Sequence, residues 1–238
     1  MNKMIIPNEA LKYILFQRTA YLRLPKTLLF RLINKILPFS IYNQIVQLES
    51  KLFTARIKAL YEDEMRREYL SIKDFLPGAC SSILDIGCGV AGFDVFLGKH
   101  FRTGHPKFYL LDKTHVEKSV WYNLESKGAF YNSLDIAKRM LVQNNMPEEH
   151  IHLVEATDNN DIDINLEIDL IVSLISWGFH YPVETYLEKV YELLTHGGVL
   201  ILDIRKGSSG IDAINRVFGK SEIILDTTKC QRVLAKKE

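Results

Sequence analysis

The chain has 238 residues, of which 47% are apolar, 25% charged and 11% aromatic, and its formal net charge is +1. This composition is typical of a folded protein and excludes a disordered, collagen-like or low-complexity chain. Three cysteines without a C-x-x-C pair argue against a disulfide scaffold and a cysteine zinc site. No apolar run reaches the roughly 18 residues of a membrane span, and the N-terminus lacks a signal-peptide pattern, so we expect a cytoplasmic protein.

The first 76 residues are predicted to form a helical cap. Apolar residues recur at helical spacing over residues 11–22 and again over 28–37. A third helix is predicted with a narrow apolar seam from Ile41 to Ala59, a pattern suited to packing on another helix or in a homodimer. A fourth helix contains Met65 and Ile72.

The pattern changes after Gly78 to short apolar runs, most of them separated by amphipathic helices. Runs that are apolar throughout indicate a parallel sheet covered by helices on both faces, and the last two runs are close enough for an antiparallel hairpin. We therefore expect one α/β domain over residues 77–238. The predicted strands are Ile83–Ile86, Phe108–Leu111, Ile151–Val154, Leu170–Ile175, Val199–Leu202, Glu222–Leu225 and Arg232–Leu234. The predicted helices between them are Phe93–Phe101, Ala129–Gln143 and Thr185–Thr195.

A glycine-rich loop follows the first predicted strand. Gly87, Gly89 and Gly92 fit the pattern G-x-G-x-x-G, which taken alone also fits a dinucleotide-binding site. Asp85 argues against NAD, because a carboxylate there would repel a pyrophosphate, whereas it suits a ligand with an ammonium group. Asp112 ends the second predicted strand, where a carboxylate can accept hydrogen bonds from both ribose hydroxyls.

Five segments, in order, resemble the motifs of the class I S-adenosylmethionine-dependent methyltransferases. These segments are Leu84–Gly92, Tyr109–Asp112, Leu153–Asp158, Asp169–Ser173 and Leu193–Leu202. The resemblance implies a Rossmann-like fold with a seven-stranded mixed sheet and a C-terminal antiparallel hairpin, here preceded by the helical cap. It also implies S-adenosylmethionine as the cofactor and methyl transfer as the reaction.

The resemblance assigns the cofactor-binding residues. It implies that Asp85, Gly87 and Gly89 hold the methionine moiety, Asp112 the ribose and Asp158 the adenine region. Two simpler alternatives are that Asp85 caps the glycine turn and that Asp158 caps a loop or short helix. The full set of assigned residues is Asp85, Gly87, Cys88, Gly89, Gly92, Asp112, Lys113, Thr157, Asp158 and Ser173.

The acceptor is expected beside the segment Ser176–Pro182, which follows the fourth predicted strand and is rich in aromatic residues. His180 is the candidate general base, because imidazole titrates near neutral pH, and a purely structural role is the alternative. Trp177 and Tyr181 are candidates for stacking on a substrate ring or for core packing. Arg205 is a candidate for binding an anionic group.

The sequence favours O-methylation of a small-molecule, sugar or glycolipid hydroxyl. Residues 113–130 are aromatic and amide-rich, which suits a carbohydrate, and the segment after the fourth strand lacks the Asn/Asp-Pro-Pro-Tyr/Phe motif of enzymes that methylate amides and nucleobase amines. RNA ribose methylation and a non-catalytic assembly or membrane-docking role are the alternatives. The histidines show no spacing that predicts a metal site.

The charge is unevenly distributed along the chain. Residues 1–60 carry ten basic side chains but only two acidic ones, Glu9 and Glu49. Such a basic segment suits an anionic substrate, the anionic inner face of a membrane or nucleic acid, although charged helix faces are most often only solvated. Peripheral membrane contact, nucleic-acid binding and a homodimer therefore stand as alternatives to a simple cap.

Overall fold

The computed structural model describes residues 3–23, 39–116 and 131–238. The predicted helix over 28–37 lies outside these residues, and so does most of the aromatic, amide-rich stretch 113–130, of which only 113–116 is described. The described helices are α1 Ala10–Gln17, α2 Phe39–Leu52, α3 Thr54–Ile72, α4 Gly92–His100, α5 Leu134–Gln143, α6 Leu187–Leu193 and α7 Gly210–Phe218. The described strands are β1 Ser82–Ile86, β2 Lys107–Asp112, β3 His115–Val116, β4 Tyr131–Asn132, β5 Ile151–Glu155, β6 Ile168–Ser173, β7 Ser176–Tyr181, β8 Leu194–Arg205, β9 Ser221–Asp226 and β10 Cys230–Lys236.

Seven strands form one mixed sheet in the order β5-β2-β1-β6-β8-β10-β9. The pairs among β5, β2, β1, β6 and β8 are parallel, whereas β10 runs antiparallel to both β8 and β9. All seven predicted strands are confirmed, and so is the C-terminal hairpin. The strand order reverses between β1 and β6, so ligands are expected beyond the carboxyl ends of these strands.

The sheet is buried on both faces. All five residues of β1 are buried, because helices cover each side of the parallel strands. On one face the cap residues Ile14 and Ile57 belong to the same apolar cluster as Phe96 of α4 and Leu110 of β2. The other face packs against α6 and α7. The cap and the sheet therefore share one continuous core.

The cap helices differ from the prediction in where they break. The structure ends α2 at Leu52 and begins α3 at Thr54, so the apolar seam predicted on one helix is divided between two. Leu48 is 49% exposed and Leu52 63% exposed, whereas Ile57 is fully buried. Within the chain, the buried face of α3 repeats every three or four residues from Ile57, whereas the predicted seam continues from Ala55, so packing of the seam in a homodimer stays a prediction.

Four further elements were not predicted. Strands β3 and β4 form a separate antiparallel pair, and β4 lies where the sequence predicts the first turn of the helix Ala129–Gln143, which begins at Leu134 instead. Helix α7 lies between β8 and the hairpin, and the extended segment β7 directly follows β6. Of the helices that the structure describes, none has both the length and the apolarity to cross a bilayer.

Candidate active site

A cavity of about 820 Å³ lies beyond the carboxyl ends of the parallel strands, beneath α1 and α3. One half is formed by the loops after β1, β2 and β5, and the other half by the segment after β6 and the start of β10. A volume of this size is near the upper end of the roughly 300–1,000 Å³ typical of ligand pockets, so it can hold two small molecules together. Its wall includes Gly87, Gly89, Asp112, Thr157, Asp158 and His180.

The glycine loop after β1 needs two of its glycines for conformation. Gly87 has a φ of 81° and Gly89 a φ of 58°, values that side chains disfavour. A Cβ on Gly87 would also overlap the Ser176 side chain, and one on Gly89 would lie 2.9 Å from Gln17 Oε1. The Gly87 N–H donates to the Leu111 carbonyl at 2.7 Å, which ties the loop to the end of β2.

Asp112 lies where the sequence predicts a ribose-binding carboxylate. Its two oxygens accept hydrogen bonds from the Gly89 N–H at 2.8 Å and the Lys113 N–H at 2.7 Å. Burial raises the pKa of Asp112 to about 6, although these two amides oppose the shift. Beside it Asn132 is buried and lines the cavity, and a hydrogen bond from its side chain to Asp112 also opposes the rise in the pKa of that carboxyl. A carboxylate and an amide side by side on the cavity wall fit a polar ligand.

Asp85 is not an isolated carboxylate, because it faces Asp94 of α4. Asp85 is 5% exposed and Asp94 is fully buried, and the two side chains are joined by a hydrogen bond. Burial and the neighbouring carboxylate of Asp94 raise the pKa of Asp85 well above its usual value, and burial raises the pKa of Asp94 to about 7. The two carboxyls therefore share a proton near neutral pH.

The residues predicted for the adenine end also line the cavity. Lys113 Nζ lies 3.0 Å from Asp158 Oδ1, so the two side chains form an ion pair at the rim. Thr157 Oγ1 accepts the Asp161 N–H at 3.1 Å. Thr157 thus caps the turn that follows β5, next to Asp158. Tyr186, which the sequence reasoning did not select, adds an aromatic ring to this wall.

Three predicted cofactor residues have different places in the site. Cys88 lines the cavity and is buried. Ser173 does not line it, because its hydroxyl donates to the Ile86 carbonyl at 2.6 Å and accepts the Trp177 N–H at 3.1 Å. Gly92 does not line it either. A Cβ there would overlap the ring of Tyr61, so this glycine lets the cap pack closely on α4.

The acceptor segment turns sharply after β6. Ile175 has a φ of 53°, an unfavourable value for a β-branched residue, and its N–H donates to Asp203 Oδ2 at 3.1 Å. Gly178 has a φ of 79°, and a Cβ there would lie 2.9 Å from the Asp203 carbonyl oxygen. These two left-handed residues decide which side chains reach the cavity.

The four residues that the sequence assigns to the acceptor site have different positions in the structure. His180 and Tyr181 line the cavity, as does Phe179 between Gly178 and His180. Trp177 is fully buried, and its indole N–H donates to the Val183 carbonyl at 2.9 Å, so its predicted stacking on a substrate is replaced by a core role. Burial, and then the positive charges of Arg205 and Arg18, lower the pKa of His180.

The charged residues at the end of β8 do not line the cavity. Asp203 is fully buried and forms a bidentate ion pair with Arg232, whose Nε and Nη2 lie 2.7 and 2.8 Å from the two carboxylate oxygens. Arg205 was predicted to bind an anion. Instead its Nε donates to the Phe179 carbonyl at 2.9 Å, and its guanidinium lies 4.7 Å from the centre of the Phe179 ring.

Comparison with known proteins shows the fold. No protein-family model and no curated protein matches the sequence. A candidate O-methyltransferase from Nostoc punctiforme aligns over 78% of this chain and 59% of its own, with 16% identity and a TM-score of 0.54. A 16S rRNA methyltransferase from T. thermophilus, solved with AdoMet and guanosine, aligns over 75% of this chain and 42% of its own, with 14% identity and a TM-score of 0.50. The chain has the class I methyltransferase fold.

This chain thus matches less than two thirds of the length of those two proteins.

The cap forms one wall of the cavity, and sequence reasoning did not select any of the cap residues in that wall. They are Phe16, Gln17, Arg18, Thr19, Tyr61, Met65 and Glu68. Periodicity marked several of them as helical, but nothing in the spacing shows which helix face lies over the glycine loop. The hairpin residues Thr227–Cys230 were also missed, because nothing in the sequence pattern shows that this turn lies beside the cavity.

Proposed function

We propose that this protein is an S-adenosylmethionine-dependent methyltransferase that acts on a hydroxyl of a small molecule, a sugar or a glycolipid. One observation carries the proposal: a single cavity joins the glycine loop and Asp112 to His180. A cofactor and an acceptor bound in its two halves would meet beside the glycine loop. In this proposal residues 1–76 form the cap and residues 77–238 the catalytic domain.

The cofactor half fits the chemical groups of S-adenosylmethionine. The glycine loop leaves room for the methionine moiety, and the Asp85–Asp94 pair can offer a negative charge to its ammonium group. Asp112 and Asn132, which lie together on the cavity wall, suit the ribose hydroxyls. The adenine would lie near the ring of Tyr186 and the Lys113–Asp158 ion pair at the rim of the cavity. When bound, the cofactor supplies an electrophilic methyl group on a sulfonium.

In the acceptor half His180 would accept the hydroxyl proton on its imidazole nitrogen as the methyl group is transferred. Its lowered pKa keeps the imidazole neutral, and so able to accept a proton, at physiological pH. Phe16, Met65 and Phe179 surround this region with apolar surface that excludes water. The reaction needs mainly alignment and removal of one proton, and these residues can provide both.

Calorimetric titration with S-adenosylhomocysteine, with NAD as a control ligand, tests the cofactor. Hydrogen bonds to a charged group contribute about 1.5–3 kcal/mol, so Asp112→Asn is expected to weaken binding at least about tenfold. The control Asp161→Asn removes an exposed carboxylate nearby that does not line the cavity, and it is expected to bind like the wild type. Binding of NAD alone, or equal loss in both variants, would contradict the proposal.

Transfer of labelled methyl groups to fractionated extracts tests the acceptor. Label in the glycan, lipid or small-molecule fraction that is lost in His180→Ala would support the proposal. Label in RNA that falls steeply with salt would favour the nucleic-acid alternative, and cofactor binding without transfer to any fraction would favour a non-catalytic protein.

Peripheral membrane contact is a separate proposal, supported by the basic charge of residues 1–60, and sedimentation with anionic vesicles tests it. The homodimer is likewise tested by the mass in solution.

A further inference from the structure

Arg205 holds the residue that precedes His180 at two points. Its Nε donates to the Phe179 carbonyl at 2.9 Å, and its guanidinium plane lies over the Phe179 ring at 4.7 Å. The hydrogen bond fixes the backbone, and the cation–π contact fixes the side chain. A planar guanidinium can make both contacts at once, whereas the rounded ammonium of lysine cannot.

The position of Phe179 makes this restraint important. Gly178, directly before it, has a φ of 79°, and glycine has the greatest backbone freedom of any residue. Since the Phe179 carbonyl belongs to the same peptide unit as the His180 N–H, fixing that carbonyl also fixes the peptide plane from which the imidazole projects. The rings of Phe179 and His180 meet edge to face at 5.1 Å between centroids. Both the backbone and the ring of Phe179 thus locate His180.

We propose that Arg205 is a positioning residue for His180, and that it orients the imidazole through Phe179 while placing a fixed positive charge near it. The inference rests on the base role of His180 in the proposed function. It replaces the anion-binding role predicted for Arg205 from the sequence. Arg205 does not line the cavity, so it acts on the acceptor site indirectly, through Phe179 and through its charge.

In the part of the chain that the structure describes, no ion pair neutralises the charge on Arg205. Within residues 3–23, 39–116 and 131–238 it has no carboxylate within ion-pair distance, whereas Arg18 pairs with Glu64 and Arg232 pairs with Asp203 and Glu68. Other titratable or charged groups on the cavity wall are Arg18, Glu68, Tyr181, Lys229, Cys230 and Arg232, together with Asp85, Asp112 and Tyr186, whose charges act on Tyr181. Burial and the charges of Arg205 and Arg18 lower the pKa of His180, in accordance with this arrangement.

An NMR titration of the His180 ring in the full-length protein tests the inference without any substrate. The histidine Cε1–H signals are recorded against pH, and the His180 signal is assigned by its loss in His180→Gln. In Arg205→Gln the midpoint is expected to move upward, because the unpaired charge is lost. In Arg205→Lys the midpoint is expected to stay close to that of the wild type, while the chemical shift of the neutral ring changes because Phe179 is no longer held.

Two comparisons exclude a general effect of charge or of altered folding. Arg216→Gln removes an exposed arginine on α7 and is expected to leave both the midpoint and the shift unchanged. S-adenosylhomocysteine affinity is expected to be unchanged in both Arg205 variants, which shows that the cofactor half is intact. An unchanged midpoint in Arg205→Gln, or an unchanged ring shift in Arg205→Lys, would overturn the proposal even if the methyltransferase function holds. If Arg205→Gln does not fold, the ring shift in Arg205→Lys decides.

Discussion

The Arg232–Asp203 pair is the buried charge pair on which the acceptor segment depends. Arg232 is 1% exposed and Asp203 is fully buried. The second Asp203 oxygen also accepts the Ile175 N–H, so the same carboxylate restrains a backbone residue in the left-handed region. Replacing Arg232 by Met keeps most of the apolar volume but leaves the Asp203 charge buried without a counter-ion.

The expected destabilisation is large for a single substitution. Removing one partner of a buried ion pair costs about 3–5 kcal/mol, because an uncompensated charge remains in the core. For a protein of this size each kcal/mol lowers the melting temperature by about 2–4 °C, so Arg232→Met is expected to lower it by about 6–20 °C. Glu68, the other carboxylate on Arg232, is 21% exposed at its side chain and can be solvated by water, so Asp203 causes most of the loss.

Urea unfolding of the two single variants and the double variant measures this effect. Arg232→Met with Asp203→Asn carries no buried charge at this point, so it is expected to be more stable than Arg232→Met alone. Arg67→Met is the matched control, since it breaks the exposed pair Arg67–Asp63 and is expected to cost at most about 0.5 kcal/mol. If Arg232→Met costs no more than Arg67→Met, or if the two single effects simply add, the reasoning is refuted.

Three further predictions concern the cofactor half and His180. The Asp85–Asp94 pair has raised carboxyl pKa values, and an ammonium ligand favours its ionised form. S-adenosylhomocysteine is therefore expected to bind more tightly as the pH rises from 5.5 to about 7, and to release protons that calorimetry in two buffers can detect. An affinity that does not change with pH would contradict this. Gly92→Ala is expected to weaken binding through the clash with Tyr61, and Tyr61→Ala in the same chain to restore it; failure of the rescue would show that the glycine is needed for another reason. His180→Ala is expected to slow methyl transfer without changing cofactor affinity, and equal loss of both would instead indicate a structural role.

The sheet could be predicted from the sequence because its strands are buried on both faces. A parallel strand such as β1 has no exposed face, so the apolar run Ile83–Ile86 has no other simple interpretation. The glycine loop could also be predicted from the sequence, because Gly87 and Gly89 occupy conformations that few other residues adopt. Helix α7 was not predicted, because it directly follows the polar, glycine-containing segment Lys206–Ser209, which favours a loop.

The acceptor segment could be located from the sequence, but the directions of its side chains could not. In a regular strand Trp177, Phe179 and Tyr181 would point to the same side. The left-handed conformation of Gly178 breaks this alternation, so Trp177 enters the core while Phe179 and Tyr181 line the cavity. The prediction for Arg205 failed for a related reason, because its partner is a backbone carbonyl, and such a partner leaves no pattern in the sequence.

The acceptor segment, Ser176–Pro182, is restrained at two points by residues at the end of β8. Asp203 holds Ile175 directly before it, and Arg205 holds Phe179 in its middle. The first restraint extends to the cap, because Arg232 also donates to Glu68 and Ser71 of α3. A shift of α3 would therefore disturb Arg232 and, through Asp203, the backbone of Ile175. Since α3 also supplies Tyr61 to the wall beside the glycine loop, the cofactor half and the acceptor half share one helix as a common support.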